Sequence, residues 1–595
     1  MPILSGNANN RPMARKPFPS GPATLLTQAW LFFSLYCLVV LALDNSYFLT
    51  LGQVLKLYSY GLLWAVALFA LFLLLRLIHM SFACMLLLAV LAAGEAFFRV
   101  HVLATPVYSP LSWKGSTHIL AGIATGAVIW LLLRLCASIR PFVVLLVSTC
   151  LLALALPLFT RTPATPAGPS FAPNVLLISL DAHRRDHLGS YADGWEGDPL
   201  YAFLTRKGAV VFNNHFCQSP QTNPSHATMF TGQLPSEHGV LTNGNALPDR
   251  AVTLAEELAE QGFHTYAVIS GLPMHAAISH QDQGFALYHQ KYAASDRGFH
   301  PERLFAWCAG FEKRKARHTN QAVGSLLPVL QRAQPFFLFL HYFDTHTPYQ
   351  PEQAPGGPLA RNNEDRERLA RLLSDPLRGP YLRTWLSPEY GISYVKRLYR
   401  REAEELHAYV SDLLKEMERL GLLADTLIIL TADHGESLDE HGIYFDHVDS
   451  PYNQAVHVPF ILAGPERAAV RSVDRLTGHR LIRPLVSFWI SQGRLPDDFS
   501  QLLTTDQPVF FELFGKKKRF YIKTGAVYGD YKMIYDGQNH ETFDRINDTA
   551  ESRILPPETN PWLKRILEAH FLHVQETVQQ EKHKLHPKLR SLGYL

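Results

Sequence analysis

The stretch Asn174-Val-Leu-Leu-Ile-Ser-Leu180 decides the fold of this 595-residue chain. It is a short, almost continuous apolar run that follows a proline-rich stretch at 161–173. Such a run predicts a strand that is buried on both faces, as in a parallel sheet covered by helices. Asp181 comes next, so a carboxylate stands at the carboxyl end of this strand, where sheets of this kind place their ligand sites.

Similar apolar runs recur further along the chain and alternate with helical patterns. The spacing predicts strands at 336–341, 426–431 and 458–462, with a helix at 319–333 and a longer amphipathic helix at about 396–420. Strands that alternate with helices indicate βαβ units. We therefore predict an α/β domain with a mainly parallel central sheet.

The first 160 residues have a different composition, because they are dominated by long apolar runs. A helix needs roughly 20 apolar residues to cross a bilayer, and several segments approach this length. A cleaved signal peptide would explain the first segment only, since more of them follow. The sequence therefore predicts an N-terminal α-helical transmembrane bundle at 1–160 and a linker at 161–173, with crossings at 25–43, 58–78, 81–98, 117–136 and 141–159.

The charges of the short loops predict the orientation of these crossings. With a cytoplasmic N-terminus, the inner side holds Arg11, Arg15, Lys16, Arg76, Arg134 and Arg140. The outer loops then hold Lys56, Arg99 and Lys114. This asymmetry predicts a multi-pass protein of the cell (inner) membrane whose large domain is periplasmic or otherwise extracytoplasmic. A miscounted crossing would place that domain in the cytoplasm instead.

Net charge and cysteine usage narrow the class of protein further. The formal net charge is +3 with no basic arm, so no nucleic-acid partner is expected. Six cysteines in a chain of this length do not form a disulfide framework. Whether Cys217 and Cys308 pair stays open, as does the oligomeric state.

Polar residues follow the predicted strands at the ends where a site is expected. Asp181 follows the first strand, a histidine-rich segment at 341–349 follows the second, and Asp433-His434 follows the third. Carboxylate oxygens and imidazole nitrogen suit one divalent metal ion of the Mg, Mn, Ca or Zn group. Capping of a following helix is the alternative for Asp181 taken alone, and a surface position is the alternative for the histidines at 441–447.

A fourth element, Ser219-Pro-Gln-Thr-Asn-Pro-Ser-His226, places Thr222 near the start of an apparent helix. Backbone N–H groups and the helix dipole favour an anion at such a position. A hydroxyl that contacts a divalent metal there can lose its proton and act as a nucleophile. A helix N-cap is the alternative for Thr222 taken alone.

These elements, in this order, resemble the sulfatase branch of the alkaline phosphatase superfamily. The resemblance covers about residues 174–545 and implies an alkaline phosphatase/sulfatase-like catalytic domain at 174–505. We expect a C-terminal subdomain and helix at 506–595, because the pattern at 560–590 predicts a charged amphipathic helix. The resemblance is carried by the following runs: Asp186-His-Leu-Gly-Ser-Tyr191, Pro224-Ser-His-Ala-Thr-Met-Phe-Thr-Gly232, Leu234-Pro-Ser-Glu-His-Gly-Val240, Phe337-Leu-Phe-Leu-His-Tyr-Phe-Asp344, Thr431-Ala-Asp-His-Gly-Glu-Ser437, Lys532-Met-Ile-Tyr-Asp536 and Glu541-Thr-Phe-Asp544.

The resemblance also implies roles for individual residues. The metal ligands would be Asp181, Asp433 and His434, with Thr222 as the nucleophile that also contacts the metal. His346 and His447 resemble the groups that hold the substrate's oxyanion or protonate the leaving group, and His226 takes the place where sulfatases usually carry arginine. The expected catalytic set is therefore Thr222, His346, His447 and His226.

The chain departs from the sulfatase pattern at two positions. Sulfatases of the main type carry a cysteine or serine that becomes formylglycine, and threonine at position 222 cannot form that aldehyde. Position 182 is alanine, where many sulfatases have a second aspartate. Both departures weaken the expectation of sulfatase chemistry, although they leave the expected fold unchanged.

Threonine nucleophiles occur in relatives that transfer phosphoryl groups, among them lipoteichoic acid synthases and phosphoethanolamine transferases, whose layout is similar. The resemblance therefore implies a membrane-bound, metal-dependent hydrolase or transferase that acts on phospho- or sulfo-esters of a membrane lipid or envelope glycan, with phosphoryl transfer favoured. A sulfuric ester hydrolase that works without formylglycine is one alternative. A non-catalytic, lipid-sensing membrane protein is the other.

Overall fold

The computed structural model describes residues 173–590, except 190, 192–196, 291–313, 377, 466–468, 503–506 and 517–519. The predicted transmembrane segments, almost all of the predicted linker, and Cys308 lie outside the described residues. Among the helices that the structure does describe, none combines the length and the apolar composition needed to cross a bilayer.

The described chain alternates strands and helices as the sequence predicts. The strands are β1 (Asn174–Leu180), β2 (Val210–Phe212), β3 (His215–Phe216), β4 (His264–Val268), β5 (Leu287–His289), β6 (Phe336–Tyr342), β7 (Thr426–Thr431), β8 (Phe460–Ala463), β9 (Arg471–Val473), β10 (Thr477–Gly478), β11 (Val509–Lys516), β12 (Phe520–Tyr528), β13 (Tyr531–Tyr535) and β14 (His540–Asp544). The helices are α1 (Pro199–Arg206), α2 (Thr222–Thr231), α3 (Pro235–His238), α4 (Leu254–Glu260), α5 (Ala276–Ser279), α6 (Ala316–Leu330), α7 (Asn363–Ser374), α8 (Gly379–Leu382), α9 (Ile392–Arg419), α10 (Asn453–Val456), α11 (Ile482–Gln492) and α12 (Pro561–Arg590).

The central sheet of the described region has the strand order β5-β4-β6-β1-β7-β8-β2-β9. Strand β1 lies at its centre and pairs in parallel with β6 on one side and β7 on the other. Only β8 runs against its two neighbours in this sheet as described. The predicted α/β domain with a mainly parallel sheet is therefore confirmed.

The sheet is buried on both faces, as the apolar run that forms β1 predicts. Alternate residues of a strand point to opposite faces, and Leu176 and Ile178 belong to one apolar cluster while Val175 and Leu177 belong to another. Helices α6 and α9 contribute to the first cluster. Helices α2, α4 and α11 contribute to the second. This three-layer packing explains why the three central strands lack polar alternation.

The bounds of some predicted elements differ from the observed ones. The helix predicted at 319–333 is Ala316–Leu330, and the one predicted at about 396–420 is Ile392–Arg419. The strand predicted at 458–462 begins at Phe460. It starts later because the Val458 N–H donates to the His215 carbonyl of β3 at 3.0 Å, and Pro459 has no N–H to donate to the central sheet.

A second, antiparallel sheet of β11–β14 follows the central sheet in the chain. The long helix α12 packs on it through Leu563 and Leu567, which form an apolar cluster with Ala526 and Met533. The amphipathic C-terminal helix predicted from the sequence is therefore present, and its apolar face covers this second sheet.

Candidate metal and catalytic site

The register of the three central strands brings the predicted site residues to one edge of the sheet. Ser179 of β1 is level with His341 of β6 and with Thr431 of β7. Asp181 and Asp433, which follow β1 and β7, therefore emerge side by side. Their ligand atoms and one from His434 all lie within 4.8 Å of one another.

Asp181 is fully buried and is only partly satisfied by hydrogen bonds. Its Oδ2 lies 3.0 Å from Nε2 of His341, which donates to it, and its backbone carbonyl accepts a hydrogen bond from the Thr345 hydroxyl at 2.6 Å. Its Oδ1 has no hydrogen-bond partner among the described residues. Burial raises the pKa of the Asp181 carboxyl to about 7, against the opposing effect of His447.

Asp433 is oriented by backbone N–H groups. Its Oδ1 accepts hydrogen bonds from the backbone N–H of Ala182 at 3.1 Å and of His434 at 2.8 Å. Its Oδ2 is buried without a hydrogen-bond partner in the described region and lies 3.3 Å from His434 Nε2. Burial and the nearby charge of Asp181 raise the pKa of Asp433 well above its usual range.

His434 presents a lone pair to the same place. Its Nδ1 lies 2.8 Å from the carbonyl of Gly435 and must be the protonated nitrogen, because a carbonyl only accepts. Nε2 therefore carries a lone pair and faces Asp433. The backbone of residue 435 also lies close to that of Gln454. Glycine is required at position 435, because a Cβ there would lie 2.0 Å from the Gln454 carbonyl oxygen.

Thr222 is the first residue of helix α2, and Gln221 occupies the N-cap position. The Thr222 side chain is fully buried, and its hydroxyl makes no hydrogen bond of good geometry to any described residue. The hydroxyl nevertheless lies close enough to Asp181 to help lower the pKa of that carboxyl. The alternative that Thr222 serves as the N-cap does not fit this arrangement.

His226 has both ring nitrogens engaged within the protein. Nδ1 donates to the carbonyl of Thr222 at 2.8 Å, and Nε2 lies 2.8 Å from the hydroxyl of Ser179. Burial and the neighbouring His341 lower the pKa of His226 well below its usual range, so the ring is neutral. His226 thus joins the first turn of α2 to strand β1 and holds the backbone of Thr222.

His346 and His447 lie together beside the buried ligand cluster. The His447 ring stacks on His434 with centroids 4.0 Å apart and lies 5.1 Å from the His346 ring. His447 Nδ1 is 3.1 Å from Glu436 Oε1. Burial lowers the pKa of His447, but the Glu436 carboxylate outweighs this effect and raises it to about 9.

Comparison with known proteins assigns the family. A model of the family described as "Sulfatase" matches residues 173–486, which is more than half of the chain. The chain belongs to the sulfatase family. Members of this family are enzymes, and the matched range contains every site residue discussed above.

Individual relatives of this sulfatase-family chain are distant. It is 26% identical over 387 residues to mouse (Mus musculus) iduronate 2-sulfatase, a match that covers 56% of this chain and 67% of the relative. It is 27% identical over 338 residues to choline-sulfatase of Rhizobium meliloti, covering 49% and 63% of the two chains. The chain thus spans about two thirds or less of the length of these curated relatives.

Among solved structures, the fold resembles that of a putative sulfatase from Bacteroides thetaiotaomicron. The TM-score is 0.51 at 19% identity, and the match covers 69% of this chain and 93% of that one. Identity at this level supports the fold alone, and it agrees with the family assignment.

The donor set of this sulfatase-family site fits a divalent cation. Asp181 Oδ1, Asp433 Oδ2, His434 Nε2 and Thr222 Oγ1 are all buried, and none has a hydrogen-bond partner among the described residues. Buried polar groups normally have partners, because leaving one unpaired costs about 1–3 kcal/mol. The pKa values of the adjacent buried carboxyls of Asp181 and Asp433 are both raised. A positive charge between them would stabilise their ionised forms.

Several residues that support the site were not assigned a role from the sequence. His341, Glu436 and Ser179 hold Asp181, His447 and His226 respectively. His341 lies near the end of β6 and Glu436 lies in the loop after β7. Both belong to the sequence runs that carry the family resemblance, so their places in the sequence already pointed to the site. Ser179 lies inside an apolar strand, where the sequence pattern does not distinguish it from a small residue that only packs within the sheet.

Proposed function

We propose that this protein is a metal-dependent enzyme that transfers or hydrolyses a phosphoryl group, using Thr222 as its nucleophile. The observation that carries the proposal is a set of four buried polar atoms that have no hydrogen-bond partner in the described part of the chain, from Asp181, Thr222, Asp433 and His434. A divalent cation bound by these groups would supply Lewis-acid stabilisation and would favour the deprotonated form of a neighbouring hydroxyl.

The residues of the chain have complementary tasks in this reaction. The Thr222 hydroxyl gives up its proton to water, and its oxygen attacks the phosphorus of the ester, forming a Thr222–phosphate bond as the bond to the leaving oxygen breaks. His346 and His447 hold the non-bridging oxygens or donate the proton that the leaving oxygen takes. Water or an acceptor hydroxyl then attacks the phosphorus and releases Thr222. His226 keeps the Thr222 backbone in place throughout.

The chemistry of threonine supports direct attack over the formylglycine route. A threonine side chain carries a methyl group on Cβ and cannot become the aldehyde that sulfatases of the main type use. A secondary alkoxide beside a cation is a competent nucleophile toward phosphorus. This residue also links the chain with the lipoteichoic acid synthases and phosphoethanolamine transferases that the sequence resembles.

The substrate that we propose is an ester of a membrane lipid or an envelope glycan. Support comes from the apolar segments between residues 25 and 159 and from the loop charges, which favour a cell-membrane protein with a periplasmic or extracytoplasmic catalytic domain. Membrane attachment would keep the site close to a lipid-linked substrate or acceptor.

Hydrolysis of a sulfate ester is the second candidate, and the family assignment favours it. The matched relatives are named iduronate 2-sulfatase and choline-sulfatase. Sulfate and phosphate esters have similar shapes, so the same donors and cation serve either one. The identity of the atom attacked by Thr222 separates the two candidates.

The test uses the full chain in detergent with bis(4-nitrophenyl) phosphate and 4-nitrophenyl sulfate as alternative substrates. We expect turnover of the phosphodiester, loss of turnover in EDTA, and recovery with one cation among Mg²⁺, Mn²⁺, Ca²⁺ and Zn²⁺. Peptide mass spectrometry after incubation with a total lipid extract should find a phospho-adduct on Thr222. Faster turnover of the sulfate would favour the second candidate, and no turnover of either would contradict both.

A further inference from the structure

The residue that follows Asp181 has an unusual backbone conformation. Ala182 has φ +54°, in the left-handed region that is unfavourable for a residue with a Cβ atom. In this conformation its N–H donates to Asp433 Oδ1 at 3.1 Å. A strained backbone of this kind persists only where the surrounding contacts impose it.

One buried side chain, Tyr399 from the N-terminal third of helix α9, bridges the two ends of this turn. The Tyr399 hydroxyl donates to the carbonyl of Ala182 at 2.8 Å and accepts from the backbone N–H of Arg184 at 2.8 Å. Tyr399 is fully buried, and burial raises its pKa well above the usual range. The hydroxyl therefore keeps its proton and remains a donor.

Helix α9 also binds His183, which lies between Ala182 and Arg184 in the chain. His407, two turns after Tyr399, has its Nε2 2.8 Å from Nε2 of His183. The three residues that follow Asp181 are thus all bound by side chains of one helix. This makes α9 the element that sets the path of the chain directly after the first cation ligand.

We propose that Tyr399 is a positioning residue for the cation site. By holding Ala182 in the left-handed conformation, it aims the Ala182 N–H at Asp433 Oδ1. Oδ1 is then occupied by two N–H groups, so the second carboxylate oxygen, Oδ2, is the one turned toward Asp181 and His434. This inference rests on the proposed function, because it matters only where these residues bind a cation.

The test compares two conservative substitutions on the same helix. Tyr399→Phe removes the bridging hydroxyl, whereas Tyr394→Phe removes a hydroxyl from another buried tyrosine of α9, for which no contact with the 182–184 turn is seen. The purified full chain is titrated with Mg²⁺, Mn²⁺, Ca²⁺ and Zn²⁺ in turn by calorimetry. We expect the Kd of the cation that the wild type binds to rise about ten-fold or more in Tyr399→Phe and by less than two-fold in Tyr394→Phe.

A second substitution separates positioning from general destabilisation. Glycine adopts positive φ without the side-chain penalty, so Ala182→Gly combined with Tyr399→Phe should recover part of the lost affinity. If Tyr399→Phe alone folds poorly, the double variant is compared with Ala182→Gly instead. We then expect the double variant to bind the cation more weakly than Ala182→Gly alone.

The outcomes distinguish this inference from the proposed function. A wild-type chain that binds none of the four cations contradicts the proposed function itself. A wild type that binds a cation with the same Kd as Tyr399→Phe contradicts only the role of Tyr399. Equal weakening in Tyr399→Phe and Tyr394→Phe also overturns it, because the effect would then be a general one.

Discussion

Thr222 shows how one position combines several physical requirements. It begins helix α2, where backbone N–H groups and the helix dipole favour negative charge. It is buried beside Asp181, and His226 holds its carbonyl. Because the Asp181 carboxylate lies beside this hydroxyl, the oxyanion that we propose for Thr222 would need a compensating positive charge. The proposed nucleophile and the proposed cation ligands therefore depend on each other.

At the residue scale we predict that Thr222→Ala lowers kcat by about 10³-fold or more, because it removes the oxygen that we propose as the nucleophile. Thr222→Ser keeps a hydroxyl and should retain measurable turnover and the covalent adduct. Steady-state kinetics with the phosphodiester provide the measurement. Thr231→Ala is the matched control: this threonine is in the same helix, but its hydroxyl binds the Ala227 carbonyl. Activity of Thr222→Ala above a tenth of wild type would rule out a nucleophilic role.

At the scale of elements, helix α9 connects the segment 182–184, which follows Asp181, with helix α1. Asp198 caps α1 by accepting hydrogen bonds from the N–H groups of Leu200 and Tyr201. Its Oδ2 lies 3.1 Å from Nδ1 of His407 on α9. One carboxylate therefore joins a helix start to the helix that also holds His183.

This contact predicts a pH dependence of stability. Burial opposes ionisation, but the hydrogen bond and charge of His407 and nearby N–H groups lower the pKa of Asp198 to about 2. A folded-state pKa below the unfolded value stabilises the fold above about pH 4, and this stabilisation is lost as the pH falls toward 2. Asp198→Asn should lower the free energy of unfolding by about 2 kcal/mol at pH 7, with the deficit shrinking below pH 4.

Denaturant unfolding of the full chain between pH 7 and pH 3 measures this effect. The matched control is Asp412→Asn on the exposed side of α9, where the carboxylate is 70% exposed and pairs with Lys415. That change should alter stability by less than about 0.5 kcal/mol. A deficit for Asp198→Asn that stays constant across the pH range would contradict the assigned pKa.

At the scale of the whole described molecule, a buried ion pair joins the second sheet to the catalytic region. Lys532 of β13 and Glu551 lie 2.6 Å apart, with 0% and 1% side-chain exposure. Glu551 also accepts from the backbone N–H of Asn453 at 2.7 Å, and Lys532 donates to the Asn453 side chain at 3.1 Å. Asn453 begins α10, just after the loop that carries His447, so this contact links the second sheet to the site.

We predict that Glu551→Gln lowers the free energy of unfolding by about 3–5 kcal/mol, because it leaves the Lys532 charge buried without a counterion. The double variant Lys532→Met with Glu551→Gln should recover most of the loss, since it removes the unpaired charge. Thermal or denaturant unfolding provides both values. Asp497→Asn, at an exposed pair with Arg494, is the control and should cost less than about 1 kcal/mol. Equal destabilisation in the single and double variants would contradict this account.

The sequence by itself determined the three central strands of the main sheet, because strands buried on both faces must be continuously apolar, as β1, β6 and β7 are. It also determined that Asp181 and Asp433-His434 lie at one edge, since parallel strands end on the same side. It did not reveal that β8 is antiparallel, because apolar runs carry no direction. The proposed roles of Thr222, His346, His447 and the metal ligands remain predictions until they are measured.

Only the tertiary structure decided which groups hold the site in place. Tyr399 and His407 lie within an ordinary amphipathic helix, more than two hundred residues from the turn that they bind, and nothing in their local pattern marks them. The engagement of both nitrogens of His226 was equally hidden. Local periodicity reports whether a side chain faces the core, whereas its hydrogen-bond partner there depends on how distant elements pack against each other.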